Sequence, residues 1–268
     1  MSETANGTAG PSVGDGNPSA DELRAPSEAP GAGLRVGVLA LQGGVREHVR
    51  LLGALGADAV LVRRASQIGE IDALVIPGGE SSTIDRLTRI LGLRDPLRKA
   101  IAGGLPVLGT CAGLIMLADR ILDPAPGQET LGGLDAVVRR NAFGRQVDST
   151  EELIATADGP VRAAFIRAPQ VVEVGDGVEV IARRGGAVSA ESDGAARGGD
   201  GSGGAAGGDG GSGGAAGRPS DSCAAVLADA SLPIVGIAAG NLIGISFHPE
   251  LTGDTTVHER LLRLARER

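Results

Sequence analysis

The chain has 268 residues, a net charge of −8, 45 Gly, three Phe and neither Trp nor Tyr. The acids concentrate in two places: residues 1–33 hold five acids against one base and residues 185–222 five against two, so the remainder is near neutral. The absence of a basic footprint and of aromatic platforms argues against nucleic-acid binding, the lack of a run of about 18 apolar residues argues against a membrane span, and two cysteines with no apolar signal core point to a reducing, cytoplasmic setting.

Residues 1–33 mix Gly, Pro, Ser, Ala and acids without an apolar period, which predicts a disordered tail that cannot offset its ordering entropy. Order is expected to start at Leu34. Val36–Leu41 is a short apolar run closed by Gln42, Gly43 and Gly44, the pattern of a buried parallel strand. Val45–Leu55 reads as a helix with Val45, Val49, Leu52 and Leu55 on one side. Strands are expected at Ala59–Val62 and Ala73–Ile76, the second ended by Pro77-Gly78-Gly79. A helix starting at a serine cap is expected over Ser82–Leu91, followed by a short one over Leu97–Ala102. Pro106–Leu108 is a fourth strand and Gly113–Ile121 a further helix.

Strands alternating with helices through residue 121 argue for a doubly wound α/β domain. Beyond it the pattern changes to short strands with Gly- and Asp-rich turns, at Ala136–Arg139, Glu152–Ala155, Val161–Ile166, Val178–Ala182, Cys223–Leu227, Ile234–Ala238 and Ile243–Phe247. Thr255–Arg266 closes the chain as a helix. Within residues 185–222, Gly198–Ala206 is nearly copied by residues 207–216, and the composition is that of a flexible linker. Two copies are too few for a solenoid, and the segment is expected to enlarge a hairpin tip. The remaining roughly 200 residues, 34–184 and 223–268, suit one compact domain.

Cys111 follows an apolar strand and precedes a helical segment within Gly109-Thr110-Cys111-Ala112-Gly113. This is the pattern of a nucleophile elbow with Cys in place of Ser, where small neighbours permit a sharp, strained turn. A buried structural Cys is the plainer alternative, and the strand–elbow–helix context favours the nucleophile. A nucleophilic Cys needs a base. His248 stands directly after the strand Ile243–Phe247, with Pro249 stiffening the link to Glu250, so a strand end can bring it beside the elbow while Glu250 orients the imidazole. His48, in a helix start, reads as structural or interfacial; His258 reads as solvated and Cys223 as inert. The Gly-rich strand end Pro77–Thr83 can bring backbone N–H groups close to an anion. It has neither the spacing nor the lysine of a nucleotide loop, and no metal-ligand spacing occurs, so no cofactor is expected.

The elbow and the His248-Pro249-Glu250 strand end resemble the class I, or triad, glutamine amidotransferases. Val38–His48, Pro77–Thr83, Arg140–Gln146, Phe165–Pro169 and Phe247–Thr252 further resemble the glutaminase subunits of pyridoxal 5′-phosphate synthase, across essentially all of 34–184 and 223–268. The resemblance implies a three-layer α/β/α, flavodoxin-like domain with a mainly parallel central sheet, interrupted at about 185–222. It implies hydrolysis of L-glutamine to L-glutamate and ammonia by Cys111, His248 and Glu250 through a γ-glutamyl thioester. By the same resemblance Gly79, Glu80, Ser81, Arg140, Ile166 and Arg167 contact the glutamine, the two Arg suiting a carboxylate. Gly78, Gly79, Ala112 and Gln42 belong to the oxyanion region, Gln42 also lying near the partner interface. The implied partner is a (β/α)₈-barrel synthase subunit that receives the ammonia through a tunnel and makes pyridoxal 5′-phosphate from ribose 5-phosphate and glyceraldehyde 3-phosphate. The implied assembly has twelve synthase and twelve glutaminase subunits, and partner binding activates the glutaminase by arranging its oxyanion donors.

The tail and the 185–222 segment have no counterpart in the usual compact member, but neither removes a motif residue. A glutaminase subunit serving a different synthase shares the chemistry, and the Arg140–Gln146 segment argues against it. A catalytically silent subunit on this fold is countered by the intact Cys111, His248 and Glu250, and a cysteine peptidase or stress protein of similar shape by the His-Pro-Glu strand end.

Overall fold

A computed structural model describes residues 29–142, 150–185 and 221–268. In chain order the elements are β1 (Arg35–Leu39), α1 (Val45–Ala54), β2 (Asp58–Val62), a 3₁₀ segment (Ala65–Glu70), β3 (Ala73–Ile76), α2 (Ser81–Ile90), α3 (Arg94–Ala102), β4 (Val107–Thr110), α4 (Ala112–Leu117) and β5 (Ala118–Leu122). There follow β6 (Leu134–Arg139), β7 (Thr150–Thr156), β8 (Gly159–Phe165), β9 (Gln170–Val174), β10 (Glu179–Arg183), α5 (Asp221–Ala228), β11 (Ile234–Ala239), β12 (Leu242–Ile245), α6 (Pro249–Thr252) and α7 (Thr256–Glu267).

The main sheet runs β2-β1-β3-β4-β12-β11-β10-β7-β8. Its first five strands are parallel, and every pairing from β12 onward is antiparallel. The centre of the parallel part is built from strands buried on both faces: all four residues of β3 and of β4 are buried. Alternation along β3 divides them, Val75 facing one core and Leu74 and Ile76 the other. On the first face α1 and α7 lay Leu51, Leu52, Leu261 and Leu262 against Val36, Val38 and Phe247. On the second, Ile84 of α2, Leu97 of α3 and Met116 of α4 pack against Leu39, Leu74 and Val107. The result is the expected three-layer α/β/α arrangement.

Several local expectations differ from the structure. The helix expected over Gly113–Ile121 ends at Leu117, and β5 follows at once, pairing parallel with β6. The strand expected at Cys223–Leu227 is the helix α5, in which Cys223 and Val226, three residues apart, face Ala155. The residues 185–222 therefore do not simply enlarge a hairpin tip: β10 and β11 are antiparallel neighbours, but their connection carries α5, and 186–220 lie outside the described residues. The serine cap on α2 is absent; Glu80 takes the cap position, and Ser81 is the first helical residue. Strand β9 has no counterpart in the sequence reading. Of the expected tail, residues 29–33 lie against the domain, with Gly31 N–H donating to Leu55 O at 2.8 Å and Arg266 Nε to Pro30 O at 3.0 Å. Residues 1–28 lie outside the described part.

Candidate active site

Four loops meet at the carboxyl ends of β1, β3, β4 and β12, the edge where open α/β sheets bind ligands. Strand β4 delivers Cys111 into a sharp turn, with φ of 50° and ψ of −100°, a region costly for a residue with a side chain. The turn is secured by Cys111 N–H donating to Ile245 O at 2.7 Å on the neighbouring β12. It also needs Gly113, because a Cβ there would overlap the Ile76 carbonyl oxygen. The sharp strand–turn–helix elbow expected from sequence is thus present, with Ala112 opening α4 directly behind the thiol.

His248 follows β12 and is held by its own N–H, which donates to Ala164 O of β8 at 2.9 Å. Its Nδ1 lies 2.7 Å from Glu250 Oε1, and Glu250 is buried on α6, whose first residue is Pro249. Burial works against a charge on His248. Hydrogen bonds from the Cys111 and Glu250 sides outweigh it and push its pKa up to about 10. The imidazole also lies over Gly78, where a Cβ would overlap its Cε1.

The loops after β1 and β3 interlock in front of these groups. Gly44 N–H donates to Gly78 O at 3.1 Å, and a Cβ at Gly43, whose φ is 99°, would overlap that same oxygen. Gln42 Oε1 accepts from Glu80 N–H at 2.7 Å. Gly78 N–H donates to Thr110 Oγ1 at 3.0 Å, so this donor, expected in the oxyanion region, is committed to Thr110 instead. Gln42 likewise binds the loop, and it lines an apolar groove with Leu41, Val45 and Val49 rather than the pocket at Cys111.

That pocket is bounded by Cys111 and by all six residues expected to contact substrate: Gly79, Glu80, Ser81, Arg140, Ile166 and Arg167. Ile115 and Asn141 line it too, and the sequence reading missed both. Asn141 and Arg167 have φ of 50° and 46°, so two short turns aim backbone and side chains inward. Arg140 donates to Glu80 Oε1 at 2.7 Å and to Gln128 Oε1 at 3.0 Å, while Gln128 Nε2 donates to Ser81 Oγ at 3.0 Å. Gln128 is a third missed residue. It comes from an irregular segment between β5 and β6, where no local pattern marks it. Phe143–Gln146 of the Arg140–Gln146 segment lie outside the described residues.

The other two histidines also belong to this region. His48 is fully buried on α1, Nδ1 being 2.9 Å from His258 Nε2 and Nε2 3.2 Å from Thr110 Oγ1. His258 is fully buried as well, contrary to the expectation of a solvated residue. It shares the inward face of α7 with Val257, Leu261 and Leu262, as the helical period requires. Burial pushes the pKa of His258 down to about 4, and burial with the neighbouring His258 and His248 holds His48 well below its ordinary value. Among the described residues no cluster of three or more His, Cys, Asp or Glu could hold a metal ion, and no helix is long and apolar enough to cross a membrane.

This geometry has relatives. The profile of the SNO glutamine amidotransferase family matches residues 38–195. A pyridoxal 5′-phosphate synthase subunit PdxT of Parafrankia sp. (strain EAN1pec) is 48% identical over 235 residues, 87% of this chain and 93% of the relative. The protein of the same name from Kineococcus radiotolerans is 50% identical over 238 residues, 87% of this chain and 95% of the relative. A solved glutamine amidotransferase structure superposes with a TM-score of 0.65 at 39% identity, covering 86% of this chain and 98% of that one. With a profile match over more than half of the chain and relatives near half identity along nearly their whole length, this chain belongs to the SNO glutamine amidotransferase family.

Proposed function

We propose that this protein is the glutaminase subunit of a pyridoxal 5′-phosphate synthase, hydrolysing L-glutamine to L-glutamate and ammonia and passing the ammonia to a synthase subunit. The observation that carries the reading is Cys111 at a strained elbow beside His248, itself 2.7 Å from the buried Glu250, in a pocket bearing charges of both signs. Glu80 and the two Arg suit the ammonium and carboxylate of a free amino acid.

Cys111 Sγ attacks the side-chain amide carbon, and the displaced amide nitrogen takes a proton from His248 and leaves as ammonia. The product is a γ-glutamyl thioester. A water then gives its proton to His248 and attacks the thioester carbon, releasing glutamate and regenerating the thiol couple. Glu250 holds the imidazole orientation through both steps. Gly79 and Ala112 are the backbone donors left to receive the oxyanion, since Gly78 N–H is tied to Thr110. Docking of a (β/α)₈-barrel synthase subunit, in an assembly of twelve copies of each subunit in the cytoplasm, completes that arrangement by turning a peptide of the interlocked glycine loops.

Glutamate release from L-glutamine is measured with and without the cognate synthase subunit. Strong activity only in its presence is expected, and Cys111→Ala is expected to abolish hydrolysis while leaving complex formation intact. Ammonia release by that variant would overturn the assignment of the nucleophile, and activity indifferent to the synthase subunit would point to a different amidotransferase.

A further inference from the structure

The three histidines of the chain form one connected group, His48 and His258 fully buried, and the reaction above uses only His248. His48 stands at its centre, reached from α1, α7, β4 and α6. Its Nδ1 meets His258 Nε2 at 2.9 Å. Its Nε2 meets Thr110 Oγ1 at 3.2 Å and lies 3.6 Å from Glu250 Oε1, the oxygen that also takes His248 Nδ1. Thr110 Oγ1 is in turn the acceptor of Gly78 N–H. A polar ring buried for packing alone would cost stability that an apolar side chain would not.

The surroundings decide which nitrogen of His48 carries the proton. With the hydrogen on Nδ1, the Nε2 lone pair would face the Glu250 carboxylate, and His258, accepting at Nε2, would bury an N–H at Nδ1, an atom with no hydrogen-bond partner. With the hydrogen on Nε2, the positive end of the N–H faces Glu250 and Thr110, and His258 Nε2–H donates to His48 Nδ1. His258 then buries only an unshared lone pair at Nδ1, the less costly orphan.

We infer that His48, set in its Nε2–H tautomer by His258, is a positioning residue that joins the carboxylate orienting His248 to the glycine loop in front of Cys111. Its N–H keeps Glu250 Oε1 facing His248, and through Thr110 it fixes the Gly78 peptide over which the imidazole lies. This rests on the reading of Cys111, His248 and Glu250 as the reacting set.

The test uses the full chain with its synthase subunit. His48→Gln places an amide nitrogen where Nε2 stood, whereas His48→Asn offers a polar atom only near Nδ1. His48→Asn is expected to lower kcat roughly tenfold to a hundredfold with KM within about twofold, and His48→Gln to recover most of the loss. Long-range ¹⁵N–¹H spectra of the wild-type chain, with only three histidines to assign, should show His48 and His258 as neutral Nε2–H tautomers at neutral pH. An Nδ1–H tautomer at His48, an unchanged kcat in His48→Asn, or a Gln variant as impaired as the Asn variant would each overturn the inference. Should either variant fail to fold, the wild-type spectrum decides. Cys111→Ala, run alongside, separates failure of the triad reading, since retained hydrolysis there would leave the tautomer result standing.

Discussion

His258 sits fully buried on α7 with its pKa pushed down to about 4, against an ordinary value of 6.5. Between those values the unfolded chain binds a proton that the folded one refuses. Stability therefore falls as pH drops from about 6.5 and levels off near 4, by on the order of 3 kcal/mol from this residue alone. His48, shifted in the same direction, adds to the slope. His248 acts oppositely: pushed up to about 10, it contributes stability that is fully present below pH 6.5 and lost as pH rises through 10. Urea unfolding at pH 7 and pH 5.5 should show a clear fall in midpoint on acidification. In His258→Gln, which keeps a donor to His48 but cannot titrate, the fall should be smaller, and an undiminished fall would refute the assignment. At this scale the sequence was uneven in what it revealed. Cys111 was legible because a nucleophile elbow is local turn chemistry, and His248 with Glu250 because two residues on a stiff link can be read together. The His48–His258 bond joins positions 210 residues apart and leaves no local trace, although the apolar period of α7 already puts His258 on the inward face with Leu261 and Leu262.

Elements were read well where apolar pattern and punctuation agreed. Strand β3 ends before Pro77-Gly78-Gly79 and β4 at the elbow, and their apolar runs mark strands buried on both faces; β1 ends at Leu39, two residues short of the expected Leu41. Short apolar segments without that punctuation were ambiguous. Cys223–Leu227 has too few residues to separate a strand from a helical turn, and its Ala content decided for α5. The run through Ile121 carried no breaker to announce that the chain leaves α4 for β5, where Asp119 and Arg120 turn outward and pairing with β6 supplies the stabilisation. The junction of α4 with β3 carries a sharper requirement. Gly113 passes so close to Ile76 that any side chain meets its carbonyl oxygen, a backbone atom that cannot swing away. Gly113→Ala should displace α4 and the elbow together, lowering the unfolding free energy by about 1–3 kcal/mol and glutaminase activity by more than tenfold. A variant with both unchanged, followed by thermal unfolding and glutamate release, would show that the contact relaxes freely.

Across the whole molecule, the site lies where the parallel half of the sheet meets the antiparallel arm. Cys111 comes from the first, and His248 is tied to the second through Ala164 of β8. Anything that shifts the arm shifts His248 relative to Cys111, so the proposed roles of the two residues make the connection between β10 and α5 the place where an unusual segment could disturb the site. Both ends of that connection are anchored independently of what lies between them. Arg183 donates to Leu227 O at 3.0 Å and to Leu232 O at 2.6 Å, fastening β10 to the end of α5 and the turn after it. Arg184 is paired with Glu152 of β7, and the ladder from β10 to β11 closes the sheet beneath. Loop-closure entropy changes only slowly with length, so shortening the segment alters folding by roughly 1 kcal/mol or less. Deleting residues 194–217 is therefore expected to leave kcat and KM for glutamine within about twofold and to raise the unfolding midpoint slightly. A large loss of kcat, with the β10–β11 pairing shown intact by hydrogen exchange, would instead assign the segment a direct part in assembly or catalysis.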